Sequence, residues 1–223
     1  MSTSTRSDPY RHADKALKRL FRQASARFQH LAVTASWDEL NVITAVQEIY
    51  SEVEQEAEKQ YLEVAEKAYA DARDEILAEL PDRKPRFSLP TMAFIAALLL
   101  AYDKKTQYVY RHEVDRKRAR LSESLIAVNG QGDIFNSLAT RQALLRALKL
   151  FERQMRNMAD TVTDEARLQA FEDAGIDEGI WFTQHDEKVC KTCRERDGVK
   201  YPLYDIPPKH PNCRCYILPV HKD

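Results

Sequence analysis

Residues 36–81 read SWDELNVITAVQEIYSEVEQEAEKQYLEVAEKAYADARDEILAELP, and this stretch decides the fold of the first half of the chain. Its apolar residues recur every three or four positions, the spacing of one face of an α-helix. They are Leu40, Ile43, Val46, Tyr50, Val53, Ala57, Tyr61, Val64, Ala68, Ala72, Ile76 and Leu80. Ser36 and Glu39 have the form of a capping box, and Pro81 ends the pattern. The stretch predicts one helix of about 12 turns.

The segment before this helix predicts a second helix with one apolar and one basic face. Over residues 10–33 the apolar face consists of Leu17, Leu20, Phe21, Ala24, Phe28 and Leu31. Net charge is +5 over residues 1–35 and −10 over residues 36–80, so the total of −1 hides a segregated pattern. A basic face could contact DNA without sequence preference, as could the run Arg116–Arg120, but the acidic segment could equally neutralise both.

The segment after Pro81 predicts the return arm of a helical hairpin. Pro81, Pro85 and Pro90 mark a connector, and residues 91–128 then have the character of a second long helix. Glycine is absent until Gly130, where this helix should end. A further apolar stripe runs over residues 134–158, and we expect a separate short helix over residues 163–174.

Targeting and membrane signals are weak in this sequence. The N-terminal residues lack the apolar core of a signal peptide, so we expect the chain to stay in a cytoplasm, where thiols remain reduced. The most apolar run, residues 91–102, has only 12 residues, whereas a membrane span needs roughly 20. We therefore expect no contact with a membrane.

The last 45 residues lack the helical spacing of the preceding segments and contain all four cysteines of the chain. Residues 181–183 predict a short strand, and Asp197-Gly198 predicts a turn. Two thiolates spaced as in Cys190-Lys-Thr-Cys193 bind one tetrahedral ion from a single turn, and a second group about 19 residues later completes the set. We expect one structural zinc ion, because a unit this small usually needs a metal ion or disulfides to stabilise its fold. The candidate ligands are Cys190, Cys193, His210, Cys213 and Cys215.

Five candidates compete for four places, and spacing leaves the choice open. Cys190 and Cys193 are the firmest, and the other two ligands are His210 with Cys213, His210 with Cys215, or Cys213 with Cys215. Disulfides are the main competing interpretation of the cysteines. A nucleophilic cysteine would need a general base and an oxyanion site, and no glycine-rich or helix-start motif supplies one, so we expect no catalytic residues and no enzyme.

Three neighbours of these candidates have predicted roles. Trp181 should pack over the site, and Asp186 should order the loop before Cys190 by accepting hydrogen bonds. Arg214 lies between two candidate ligands and should point away from them, towards a partner carboxylate, a nucleic-acid phosphate or solvent. The sequence thus predicts a mainly α fold, a long helical hairpin or bundle, with a small C-terminal zinc-stapled α+β module. We divide it into a basic N-terminal helix (1–35), a helical body (36–178) and a Cys/His zinc-knuckle-like module (179–223).

At the C-terminal module the sequence resembles a known family. The run Trp181-x-Thr183-x-x-Asp186-x-x-x-Cys190-x-x-Cys193, then Asp197-Gly198, Tyr201-Pro202 and Pro208-x-His210-Pro-Asn-Cys213-Arg-Cys215, is similar to the C-terminal signature of phage head morphogenesis proteins of the SPP1 gp7 and Mu F-like type. The resemblance covers about 43 residues strictly, and Asp160-Thr161-Val162 stands where such proteins often carry an Arg-Thr-Glu segment.

The resemblance implies a minor capsid protein of a phage. Such a protein associates with the portal vertex during procapsid assembly, and sometimes influences genome packaging or delivery. We therefore expect the portal protein and other capsid components as partners, with several copies in each particle. The expected location is the virion, in the head interior or at the portal vertex, and the host cytoplasm during assembly. The alternative is a zinc-stapled nucleic-acid-binding module.

Overall fold

The computed structural model of the chain describes residues 9–34, 39–80, 85–98, 137–210 and 213–221. In these ranges the fold is mainly helical with one small sheet, as the sequence predicts. The long helices are α1 (Arg11–Thr34), α2 (Glu39–Glu79) and α3 (Ser137–Asp173), and residues 92–98 are also helical. The C-terminal region contains β1 (Glu178–Phe182), α4 (Lys191–Arg196), β2 (Lys200–Pro202), a 3-10 turn (Leu203–Asp205) and β3 (Tyr216–Pro219).

Helices α1 and α2 follow the predicted pattern closely. The predicted apolar faces are buried in α1 over residues 17–24 and in α2 over residues 53–76, wherever their side chains are described there, while Leu80 at the end of the predicted α2 pattern is half-buried. The predicted capping residue Ser36, the break at Pro81 and most of the predicted return arm lie outside the described residues. The hairpin itself therefore stays a prediction. No helix among the described residues is long and apolar enough to cross a membrane.

Helix α3 differs from the prediction because it is one helix where two were expected. No glycine or proline occurs between residues 137 and 173 to end it. Two threonines in its middle bond their hydroxyls back to the preceding turn, Thr161 to the carbonyl of Asn157 and Thr163 to that of Ala159, both at 2.9 Å. Threonine side chains thus remain satisfied inside a helix, and the expected separate helix over residues 163–174 is wrong.

The chain divides into two compact units. One comprises residues 1–14, 61–95 and 157–223, and the other comprises residues 15–60 and 96–156. In the first unit, Arg167 is buried and donates to Glu75 at 3.0 Å, and Tyr69 hydrogen-bonds to Asp173. In the second unit, Arg27 pairs with Glu52, which ties α1 to α2.

The small sheet belongs to the first unit and has the strand order β2-β1-β3, with both pairings antiparallel. Gly179 faces Pro219 in this register, and a Cβ atom at position 179 would lie 2.2 Å from Cγ2 of Ile217. Only glycine fits at that contact. Gly198 has a φ of 75° at the predicted Asp197-Gly198 turn, a conformation that glycine adopts without strain. Strand β1 thus lies in the middle of the sheet, between β2 and β3.

Candidate metal centre

Two segments supply the cysteines and the histidine, one between β1 and β2 in the chain and the other between β2 and β3. Cys190 is the N-cap of α4, and its sulfur accepts a hydrogen bond from the backbone N–H of Cys193 at 3.4 Å. His210, Cys213 and Cys215 lie in the loop that leads into β3, where the N–H of Cys213 bonds to the carbonyl of His210 at 3.1 Å. Antiparallel pairing of β3 with β1 brings this loop towards α4.

All five predicted ligands gather around Cys193, in two overlapping groups of three. Cys190, Cys193 and His210 form one triad, and Cys193, Cys213 and Cys215 form the other. Within each triad the potential ligand atoms lie within 4.8 Å of one another, and Cys193 is the only member of both. Either triad could hold a metal ion.

The distances at Cys193 match the edges of a tetrahedral zinc site. With Zn–S of about 2.3 Å and Zn–N of about 2.0 Å, tetrahedral geometry places two sulfurs about 3.8 Å apart and a sulfur and a nitrogen about 3.5 Å apart. The Cys193 and Cys213 sulfurs are 3.7 Å apart, and Nε2 of His210 is 3.3 Å from the sulfurs of both Cys190 and Cys193. A disulfide needs about 2.05 Å, and all four cysteines are free.

The cysteines differ in how readily they ionise. Cys190 is exposed, and the N–H of Cys193 lowers the pKa of its thiol. Burial raises the pKa of Cys193 well above its ordinary value, and burial together with neighbouring Cys213 raises the pKa of Cys215 to about 11. Neutral thiols at the buried positions are poor nucleophiles. A cation would shift the equilibrium towards thiolates, so its binding should release protons.

Trp181 provides an independent indication that a thiolate belongs in this cluster. Its side chain is fully buried, with the guanidinium of Arg196 5.1 Å from the ring centre and Tyr201 at its edge. The indole N–H has no hydrogen-bond partner within the described ranges, although it lies near Cys215. A buried donor beside a sulfur fits a cysteine that is ionised when the site is loaded. The donor set of thiols and one imidazole suits zinc.

The polar neighbours of the cluster are paired within the chain. Asp186 accepts the N–H of Lys188 at 3.0 Å, which orders the loop before Cys190, and Arg214 donates to the same carboxylate at 2.5 Å. Arg214 thus pairs with a carboxylate of this chain, whereas a partner's carboxylate, a nucleic-acid phosphate or solvent was expected.

Two further features of the site were not predicted. His185 has a left-handed φ of 53° and its Nε2 lies 2.7 Å from Asp197, whose other oxygen accepts the N–H of Thr183 at 2.9 Å. Lys209 pairs with Asp164 of α3 at 2.6 Å. A histidine tolerates this backbone conformation better than most residues, but its spacing to Asp197 follows no motif.

Searches for related proteins gave no match among family models, curated proteins or solved structures.

Proposed function

We propose that this chain is a phage minor head protein that associates with the portal vertex during procapsid assembly, and that one structural zinc ion staples its C-terminal module. In this proposal several copies enter each particle, and they act in assembly and in genome packaging or delivery. The zinc closes the module, and the cluster has no catalytic role, because four protein ligands leave no open coordination position for a substrate.

The observation that carries the proposal is the meeting of the two halves of the C-terminal motif at Cys193. About 20 positions separate Cys190 and Cys193 from the second group, His210, Cys213 and Cys215. The Cys193 sulfur nevertheless lies 3.3 Å from Nε2 of His210 and 3.7 Å from the sulfur of Cys213. The same motif carries the resemblance to phage head morphogenesis proteins. This meeting supports the proposal that the motif closes a small module around a metal.

The helices suit a structural role in an assembly. Helix α2 has 41 residues and α3 has 37, so they are about 60 Å and about 55 Å long. No glycine occurs within either helix to weaken it. Such elements can present an extended docking surface, while the stapled module stays compact.

The test is co-elution of the purified chain with the portal protein of the same phage on a sizing column, with zinc measured across the peak. We expect co-elution with about one zinc per chain. The Cys193→Ser variant should lose the zinc, and its matched control Thr192→Ala, an exposed neighbour, should keep it. A chain that carries zinc and elutes apart from the portal at micromolar concentration would contradict the assembly role.

A second candidate function, nucleic-acid binding, is favoured by the exposed face of α1. Lys15, Lys18, Arg19 and Arg22 lie on one side of this helix, within about 10 Å along its axis, and are exposed. They make no ion pair with any other described residue, and the acidic helix α2 pairs only with Arg27 of α1 in the described ranges. Four exposed cations on one helix face suit a phosphate backbone.

Salt dependence separates this candidate from adventitious binding. Four phosphate contacts should give a slope of log K against log salt near about −3.6 on duplex DNA. Replacing the four cations of α1 by Gln should remove most of that slope. Replacing Lys188, Lys191, Arg194 and Lys200 of the module is the matched control. If the control loses the slope and the α1 variant keeps it, DNA contact belongs to the module.

A further inference from the structure

Tyr10, next to the start of α1, makes contacts with residues very distant in the sequence. Its side chain is buried, and its hydroxyl lies 2.7 Å from Oδ1 of Asp164 on α3 and 2.7 Å from the carbonyl oxygen of Cys215. The ammonium of Lys209 donates to the same hydroxyl and lies 5.1 Å from the centre of the Tyr10 ring. Lys209 also donates to Oδ2 of Asp164 at 2.6 Å. Four groups thus form one closed polar network inside the first unit.

The charges in this network leave the tyrosine neutral. Burial, with the carboxylate of Asp164, raises the pKa of Tyr10 well above its ordinary value. The phenol has one proton and two acceptors in reach, so it donates to Asp164 or to the Cys215 carbonyl while accepting from Lys209. The side chains of Lys209 and Asp164 are 17% and 16% exposed, so water screens their attraction little. Removing one member would leave each of its neighbours one hydrogen bond short in a mostly buried place.

The network makes contacts at both ends of the loop that carries His210, Cys213 and Cys215. Lys209 immediately precedes His210, and the Cys215 carbonyl belongs to the last candidate ligand. The loop between these two points therefore spans residues 210–215, which hold three of the five candidate ligands. Fixing both ends limits the positions that the histidine and the two cysteines can take. Groups outside the ligand set that orient the ligands commonly change metal affinity by 10- to 100-fold.

We infer that Tyr10 and Asp164 are positioning residues for the metal centre, and that metal binding and docking of the start of α1 stabilise each other. The inference rests on the metal site of the proposed function. The coupling is reciprocal, since a contact that favours the loaded loop must itself be favoured by the metal. Residues near the N-terminus thereby report whether the C-terminal site is filled.

The experiment is a cobalt(II) titration of the full chain, in competition with a chelator, for the wild type, Tyr10→Phe and Asp164→Asn. Tyr204→Phe is the matched control, because Tyr204 is 91% exposed. We expect affinity about 10- to 100-fold lower in the two network variants and unchanged in the control. At saturation their thiolate-to-cobalt absorption should equal that of the wild type, because no ligand is changed. A merely stabilising role would lower the melting temperature and leave the affinity of the folded protein alone.

Hydrogen exchange provides the reciprocal measurement. In the wild type, zinc should slow amide exchange at residues 10–20, and this response should be absent in Tyr10→Phe, which keeps the ring and loses one oxygen atom. Network variants that bind cobalt as tightly as the wild type, or that keep the zinc response, would overturn the inference alone. A wild-type chain that binds no cobalt would overturn the metal centre together with the inference.

Discussion

Replacing Cys193 by Ser should damage metal binding far more than replacing either Cys190 or Cys215. Cys193 is the only residue in both triads, so Cys190→Ser leaves one triad complete, and so does Cys215→Ser. Cys193→Ser breaks both triads. The remaining ligands then form two pairs without a third member.

The magnitudes follow from the binding free energy of structural zinc, about 12 kcal/mol in small peptides. Shared among four ligands, this is about 3 kcal/mol each, and about 1.4 kcal/mol corresponds to a factor of ten. Losing one ligand should therefore weaken binding about 100-fold, and Cys193→Ser should show this full loss. Cys190→Ser and Cys215→Ser each leave one triad complete and should weaken binding less than this.

The assay is competition for zinc against a chromophoric chelator at pH 7, with Thr192→Ala as the matched control. Far-UV circular dichroism should show that each variant keeps the signal of α1, α2 and α3, since these helices contain none of the ligands. Equal affinities for Cys193→Ser and Thr192→Ala would refute the reasoning. So would a larger loss in Cys215→Ser than in Cys193→Ser.

Three further predictions concern the fold around the site. Gly179→Ala should destabilise the chain by about 1–3 kcal/mol in urea denaturation, because its new methyl group collides with Ile217, and adding Ile217→Ala should recover part of the loss. Burial and Asp173 raise the pKa of Tyr69 from 10.0 to about 12, so the unfolded state loses its proton first as pH rises. This stabilisation should be complete below pH 10 and disappear by about pH 12, and a Tyr69→Phe variant that shows the same alkaline loss would contradict it. Glu75→Ala should be more destabilising than Arg167→Met, since only the former leaves a buried charge without its partner, and equal melting temperatures would count against that ion pair.

Local features of the fold were predictable from local sequence. The three-to-four spacing of apolar residues located α1 and α2 to within a few residues, because burying one face of a helix is the dominant constraint on such segments. The Asp197-Gly198 turn and the strand at Trp181 follow from turn and strand composition in the same way. Helix α3 was divided wrongly, since no glycine or proline interrupts residues 137–173 and the helix is continuous.

The set of candidate metal ligands was also predictable, because it follows from the spacing of the cysteines in the sequence. The spacing could not show that Cys193 lies at the centre, since this depends on how β3 pairs with β1. The network of Tyr10, Asp164 and Lys209 joins residues 45 to 199 positions apart and has no sequence signature. Such contacts arise from tertiary packing, which composition and periodicity do not encode.

The most direct test of a metal-stapled module is native mass spectrometry of the chain purified from zinc-containing medium. The account predicts a mass increase of one zinc ion per chain, lost in Cys193→Ser and retained in Thr192→Ala. It also predicts that removing the zinc makes residues 179–223 sensitive to protease while α1 and α2 remain resistant. A wild-type chain that carries no metal, and whose C-terminal residues resist protease equally with and without a chelator, would contradict the central claim.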